Sequence, residues 1–271
     1  MSQSSMRPLS VGNVVSAGLV MYRSNLKTYL KLSIFAYLWL LLPIYGWAKF
    51  SAIHGLIGRL AFCELINKPE TVSEAREYIK PRLWSFLGVG LGVGLRLFGL
   101  YILLYLALIA IAIIPITVLG MQTGIIIGTI AALLVLIAGI IVIIRFYSRW
   151  FVAELPLAVE ENTTSGSQSI DRSWDLTKDA VGRIQYIIVV AFLVTIPIQI
   201  VTGYLPSIFQ VSTEPGTSAY ATIQLISFIL SLLGGAIIMP FWQAVKAVIY
   251  YDLRSRREGL DLRLRDRNFE V

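Results

Sequence analysis

The stretch LFGLYILLYLALIAIAIIPITVL, residues 97–119, carries no charge, and neither does GIIIGTIAALLVLIAGIIVII, residues 124–144, just beyond it. Each exceeds the roughly 18 apolar residues that suffice to cross a bilayer. Lipid offers the backbone no hydrogen-bond partner, so an uncharged run of this length must be a helix. The two runs predict a transmembrane hairpin turning near Pro115–Gly120, and with it an all-α integral membrane protein. The rest of the chain agrees. Of its 271 residues 56% are hydrophobic and 14% charged, against about 25% charged in a soluble domain. Mean hydropathy is +0.74.

Working outward, a second hairpin reads Asn25–Leu42 and Trp47–Leu65 around the turn signal Pro43-Ile44-Tyr45-Gly46. A third reads Ile184–Ile208 and Ala219–Tyr251 around Pro215-Gly216. That makes six expected spans. Each hairpin closes on an acid and a leucine: Phe62-Cys63-Glu64-Leu65, Phe151-Val152-Ala153-Glu154-Leu155 and Tyr250-Tyr251-Asp252-Leu253. A base precedes each acid by five or six residues: Arg59, Arg149 and Lys246. The chain therefore reads as one polytopic domain, 1–271, built of three parallel repeats. They cover residues 9–66, 70–158 and 167–253, each an amphipathic helix followed by a transmembrane hairpin, with a basic tail at 254–271.

Charge sets the expected sidedness. Of 23 Lys and Arg, the three expected outer turns hold one, Lys49. The others lie in the tails, in the inner connections or along the spans. This bias predicts both termini in the cytoplasm. Met1–Ser10 is polar, so the first span is expected to act as an uncleaved anchor. The first pair is the weak point, because its arms are short and carry His54 and Arg59. A re-entrant hairpin is the alternative there. The second pair is too long. Trp84–Ile114 would extend about 46 Å as a helix against a hydrocarbon core of about 30 Å. A charge at mid-bilayer costs roughly 2.5–3.5 kcal/mol or more, so Arg96 is expected near the inner interface, with helices projecting inward below it.

The amphipathic segments follow helical spacing. Val11, Val14, Val15, Gly18, Leu19, Tyr22 and Leu26 share a face. Thr71-Val72-Ser73-Glu74 is a capping box opening Thr71–Arg82. The third segment is Ser169–Gly182. Each reads either as an elbow positioning the next span or as a docking surface for anionic lipid or a protein partner.

Reactive chemistry is sparse. With one cysteine, Cys63, and one histidine, His54, neither a disulfide framework nor a multi-histidine metal centre can form. No catalytic residue, metal or cofactor is expected. The candidate site is an interfacial charge cluster of Arg59, Glu64, Arg96, Arg149, Glu154, Lys246 and Asp252. It reads as an ion-pair belt locking the hairpins together or as a charged vestibule. Gly88, Gly90, Gly92 and Gly94, with Gly124 and Gly128, form small-xxx-small patterns that let helices approach closely or present an oligomer face. His54 reads as a packed or interfacial residue. The excess of basic over acidic residues suits an anionic membrane surface and not nucleic acid.

Tyr250-Tyr251-Asp252-Leu253-Arg254-Ser255-Arg256-Arg257-Glu258-Gly259-Leu260-Asp261 resembles the ending of a broad set of bacterial multi-span proteins. These are similar to the membrane domain beside some glycerophosphodiester phosphodiesterases. Arg172-Ser173-Trp174-Asp175-Leu176-Thr177-Lys178 resembles their other recurring segment. Tyr45-Gly46-Trp47-Ala48-Lys49 and Arg59-Leu60-Ala61-Phe62 resemble a cyanobacterial member. The resemblance implies six spans, a bacterial inner or thylakoid membrane, and no known activity. The phosphodiesterase's metal-binding His and acids have no counterpart here. The expected function is a non-enzymatic scaffold, assembly factor or accessory subunit of a membrane complex. The alternative is a transporter or lipid-handling protein.

Overall fold

A computed structural model describes residues 9–259, and every regular element among them is helical. The expected tail residues Asp261, Arg263, Arg265, Asp266 and Arg267 lie outside the described residues. Helix α1 (Val11–Ser24) is capped by Ser10, whose Oγ accepts from the Asn13 amide at 3.1 Å. It buries Val14, Val15, Gly18 and Tyr22 of the face that the spacing predicts, together with Met21, while Leu26 of that face is exposed. Asn25 interrupts the chain before α2 (Leu26–Leu40) and α3 (Tyr45–Leu65).

Helix α4 (Val72–Ile79) opens on the expected capping box. Thr71 Oγ1 accepts from the Glu74 amide, and the Glu74 carboxylate accepts from the Thr71 amide at 2.7 Å. A 3-10 turn over Lys80–Arg82 leads into α5 (Leu83–Leu119), 37 residues long. Pro115 lies inside α5 and does not end it. The helix stops at Gly120, whose φ of +79° an L side chain rarely adopts, and α6 (Met121–Trp150) begins at once. The expected six-residue turn is therefore a single glycine.

The chain then makes the short α7 (Glu154–Val159) and the amphipathic α8 (Gly166–Thr177). Ser165 and Gln168 form a second capping box on α8, which thus starts three residues before the expected Ser169. Ser169 Oγ accepts from the Leu157 amide at 3.0 Å and donates to the Ala153 carbonyl at 2.6 Å, so α8 satisfies the backbone where α6 breaks into α7. Helix α9 (Val181–Gln199) passes through one π-helical turn, Ile200–Tyr204, into α10 (Leu205–Val211). Pro206 has no N–H to return to the preceding turn, and the helix widens just before it. Helix α11 (Ser218–Glu258) is 41 residues long and capped by Thr217.

Four helical stretches are long and apolar enough to cross a membrane: those carrying α5, α6, α9–α10 and α11. The sequence reading expects six. The difference lies in the first pair. Helix α2 has 15 residues, and α3 carries Lys49, His54, Arg59 and Glu64 within its 21. The α2–α3 turn lies beside the start of α5. Tyr45 at the start of α3 has its ring centroid 6.5 Å from that of Trp84, in the first turn of α5. From there α5 runs roughly 50 Å further to Leu119. Lys49, the lone base of the expected outer turns, lines the same cavity as Arg76 and Lys80.

The molecule divides along the long helices. The upper parts of α5, α6, α9–α10 and α11 leave Phe98, Leu106, Ile126, Leu134, Phe192, Phe209 and Leu225 exposed. The packed core lies at their other end. There α3, α7 and the last turns of α11 pack with α1, burying Ile57, Leu155, Ala244, Val248 and Tyr250. Small residues make the approach possible. A Cβ on Gly18 would sit 2.7 Å from Val245 Cγ2, and one on Gly58 would sit 2.6 Å from Leu155 Cδ2.

Candidate functional site

None of the three expected acid–base endings pairs with its own base. Arg59 donates to both oxygens of Glu70, at 2.6 and 2.7 Å, and to the Ala158 carbonyl at 2.8 Å. Glu64 instead accepts from Asn25 Nδ2 at 2.7 Å. The Arg149 guanidinium stacks 4.0 Å from the Trp174 ring centroid. Asp252 takes Arg183 at 2.6 Å, Arg256 at 3.4 Å and the Leu9 amide at 3.2 Å. Arg96 is exposed and donates back to the Gly92 carbonyl at 2.9 Å, so it joins no cluster. The glycines also divide. A Cβ on Gly124 would overlap the Ile116 backbone, and one on Gly128 would lie 3.2 Å from the Ile111 carbonyl. Gly90 faces Ser51 and Gly92 faces Ile170, whereas Gly88 and Gly94 have open space beside them.

Below the packed core the charges satisfy one another. Glu160 accepts from Arg172 at 3.1 Å and from the Tyr250 hydroxyl at 2.6 Å. Arg172 also bonds Glu258, which Arg254 holds at 2.9 Å. Burial alone would lower the pKa of Arg172, but its hydrogen bonds to Glu160 and Glu258 outweigh that and raise it. Arg257 pairs with Asp179, and Arg82 stacks on Tyr78 at 3.8 Å. The arrangement knits α4, α7, α8 and the end of α11 into one layer.

One pair from the expected cluster does come together, across two repeats. Lys246 Nζ on α11 meets Glu154 Oε1 on α7 at 2.6 Å, each side chain only 16% exposed. One turn before Lys246, on the same face, stands Gln243, 1% exposed. Its Nε2 lies 3.3 Å from His54 Nδ1 on α3. With Gln243 donating to Nδ1, the imidazole carries its proton on Nε2. Both His54 Nε2 and Gln243 Oε1 are buried without a partner. The cluster thus presents one free donor and one free acceptor next to an ion pair, among helices that are otherwise apolar. Phe50 covers His54, with ring centroids 4.3 Å apart.

Two cavities flank this cluster. One, of about 290 Å³, is lined by His54, Glu154 and Lys246 together with Ser51, Gly90 and Gly94. The other, of about 300 Å³, is lined by His54, Gln243 and Lys246 with Tyr37 and Gln199. Gln199, Gly235 and Ile238 of the second cavity also line a third, an open cleft of about 460 Å³ whose lining includes Thr202 of the π-turn, Ser207 of α10 and Ser231 of α11. Polar side chains therefore follow one another from Ser207 to Glu154 through three adjoining cavities.

No protein-family model, curated protein or solved structure matches this chain. Its chemistry has to be read from its own residues. The sequence singles out Lys246 and Glu154 but not Gln243, and His54 reads from it as a packed or interfacial residue. The available signal was the pair Gln243 and Lys246, three residues apart in an apolar helix. No group of three or more His, Cys, Asp or Glu side chains suited to a metal occurs among the described residues.

Proposed function

We propose that this chain is a membrane-embedded transporter or lipid-handling protein. Its working centre is the Lys246–Glu154 pair with His54 and Gln243. The observation that carries this reading is the position of that cluster, shared by two cavities that adjoin a third. An ionisable group on an apolar membrane helix is costly and is by default a candidate for a substrate or ion pathway; in this reading Lys246 on α11 is such a group. A polar or charged group of a substrate would take the free donor of His54 and the free acceptor of Gln243. Exchanging it between cavities would carry it along the polar row. The proposal assigns no catalytic residue and no cofactor.

In this reading α5, α6, α9–α10 and α11 cross the bilayer. The charged layer and both termini lie in the cytoplasm. The α2–α3 hairpin enters and leaves on that same side. The charge bias supports this orientation: Lys49 lines the same cavity as Lys80, and the turns at Gly120 and Ser212–Thr217 contain no Lys or Arg.

The scaffold or accessory-subunit reading draws on the inner helices as a docking surface. Glu160 takes up Arg172 of α8, and Arg59–Glu70 and Arg257–Asp179 pair beside it, which leaves that reading less support than the cavities give to transport.

Purified protein in liposomes, assayed for scrambling of labelled lipid and for flux of small polar solutes, tests the proposal. Activity that Gln243→Leu abolishes would uphold it. Silent liposomes across lipid and solute classes would sink it.

A further inference from the structure

A fourth cavity lies apart from this row, between the α2–α3 hairpin and the junction of α4 with α5. It holds about 350 Å³. Leu32 and Leu56 contribute to an apolar wall, and Lys49, Arg76 and Lys80 supply its charges, with no acid in the lining. None of the three cations has a carboxylate within ion-pair distance among the described residues. Lys49 Nζ lies 5.4 Å from the Tyr45 ring centroid and 6.0 Å from that of Trp39. Trp39 lines the cavity too, and its indole Nε1 is buried with no acceptor. A buried indole N–H without a partner is unusual, because leaving a buried donor unsatisfied forfeits its hydration with nothing in return.

We propose that this cavity binds one anionic glycerophospholipid. An acyl chain lies against Leu32 and Leu56, the phosphate meets Lys49, Arg76 and Lys80, and the Trp39 N–H donates to a phosphate or ester oxygen. Three uncompensated cations select a net negative headgroup over a zwitterionic one. The apolar wall selects a lipid over free phosphate. The position fits as well, because the end of α2 and the start of α3 carry Trp39, Tyr45 and Trp47, the residue types that favour the membrane–water interface. This site is independent of the transport reading, and a protein that moves nothing can still hold the lipid.

The test is native mass spectrometry of the full chain released from nanodiscs containing equal amounts of a phosphatidylcholine and a phosphatidylglycerol. The expected result is one retained phosphatidylglycerol per protein, enriched about tenfold or more over the bulk mixture. Lys49→Gln/Arg76→Gln/Lys80→Gln should return the retained lipid to bulk composition, and Trp39→Phe should reduce its occupancy. Should the triple variant not fold, Lys80→Gln alone, at an exposed position, should still lower the enrichment. Millimolar inorganic phosphate should leave the lipid in place. Retention at bulk composition by the wild type, unchanged enrichment in the variants, or displacement by phosphate would each overturn the proposal.

Discussion

Lys246 and Glu154 lie 92 positions apart in sequence, yet their charged atoms meet at 2.6 Å in the packed half of the molecule. Five or six residues separate each base from the acid that closes its own hairpin, against the four that suit an ion pair on one helix. Lys246 instead takes the acid of the preceding one. The pair ties α11 to the break between α6 and α7, and it holds two charges next to His54 and Gln243.

Removing one partner leaves the other buried and unpaired. Lys246→Met should therefore destabilise the protein by about 3–5 kcal/mol, whereas Lys246→Met/Glu154→Leu should recover most of that loss. Thermal unfolding in a fixed detergent measures both. Transport should be absent in the double variant despite its recovered stability. A double variant as unstable as the single one would mean that the pair is not isolated in the way its geometry implies.

Gln243→Leu removes an acceptor that has no partner of its own. It also removes the donor that faces His54 Nδ1. The expected stability loss is about 1–3 kcal/mol, because buried His54 Nδ1 loses its partner, with a large loss of flux or scrambling. A stability loss of several kcal/mol with intact flux would make Gln243 a structural residue.

The glycine patterns predict a contrast. Gly124→Ala forces a methyl into the Ile116 backbone and should cost about 1–3 kcal/mol. Gly88→Ala meets nothing within 4 Å and should be neutral or stabilising by about 0.5–1 kcal/mol, the helix-propensity difference between the two residues. Denaturation of the two variants side by side checks this. Equal effects would remove the distinction between packing and open glycines.

Topology can be read by labelling. In a Cys63→Ala background, Pro43→Cys should react with an impermeant maleimide from the same side as Glu161→Cys, and Thr213→Cys from the opposite side. A six-span arrangement predicts that Pro43→Cys and Thr213→Cys label together.

The sequence by itself determined the helical class, the long hairpin of the second pair, the N-terminal capping box at Thr71, and Val14, Val15, Gly18 and Tyr22 of the buried face of α1. All of these rest on local periodicity, capping chemistry or uninterrupted hydropathy, which act over a few turns of one helix and so can be read from one segment. It also marked the first pair as short and charged. Only the tertiary structure decided which acid each base meets, that Tyr45 lies beside Trp84, and that His54 shares a cavity with Lys246. Those are contacts between segments far apart in the chain. They depend on where Gly18, Gly58 and Gly124 let backbones approach and on how far each helix tilts, and neighbouring residues in sequence do not encode either.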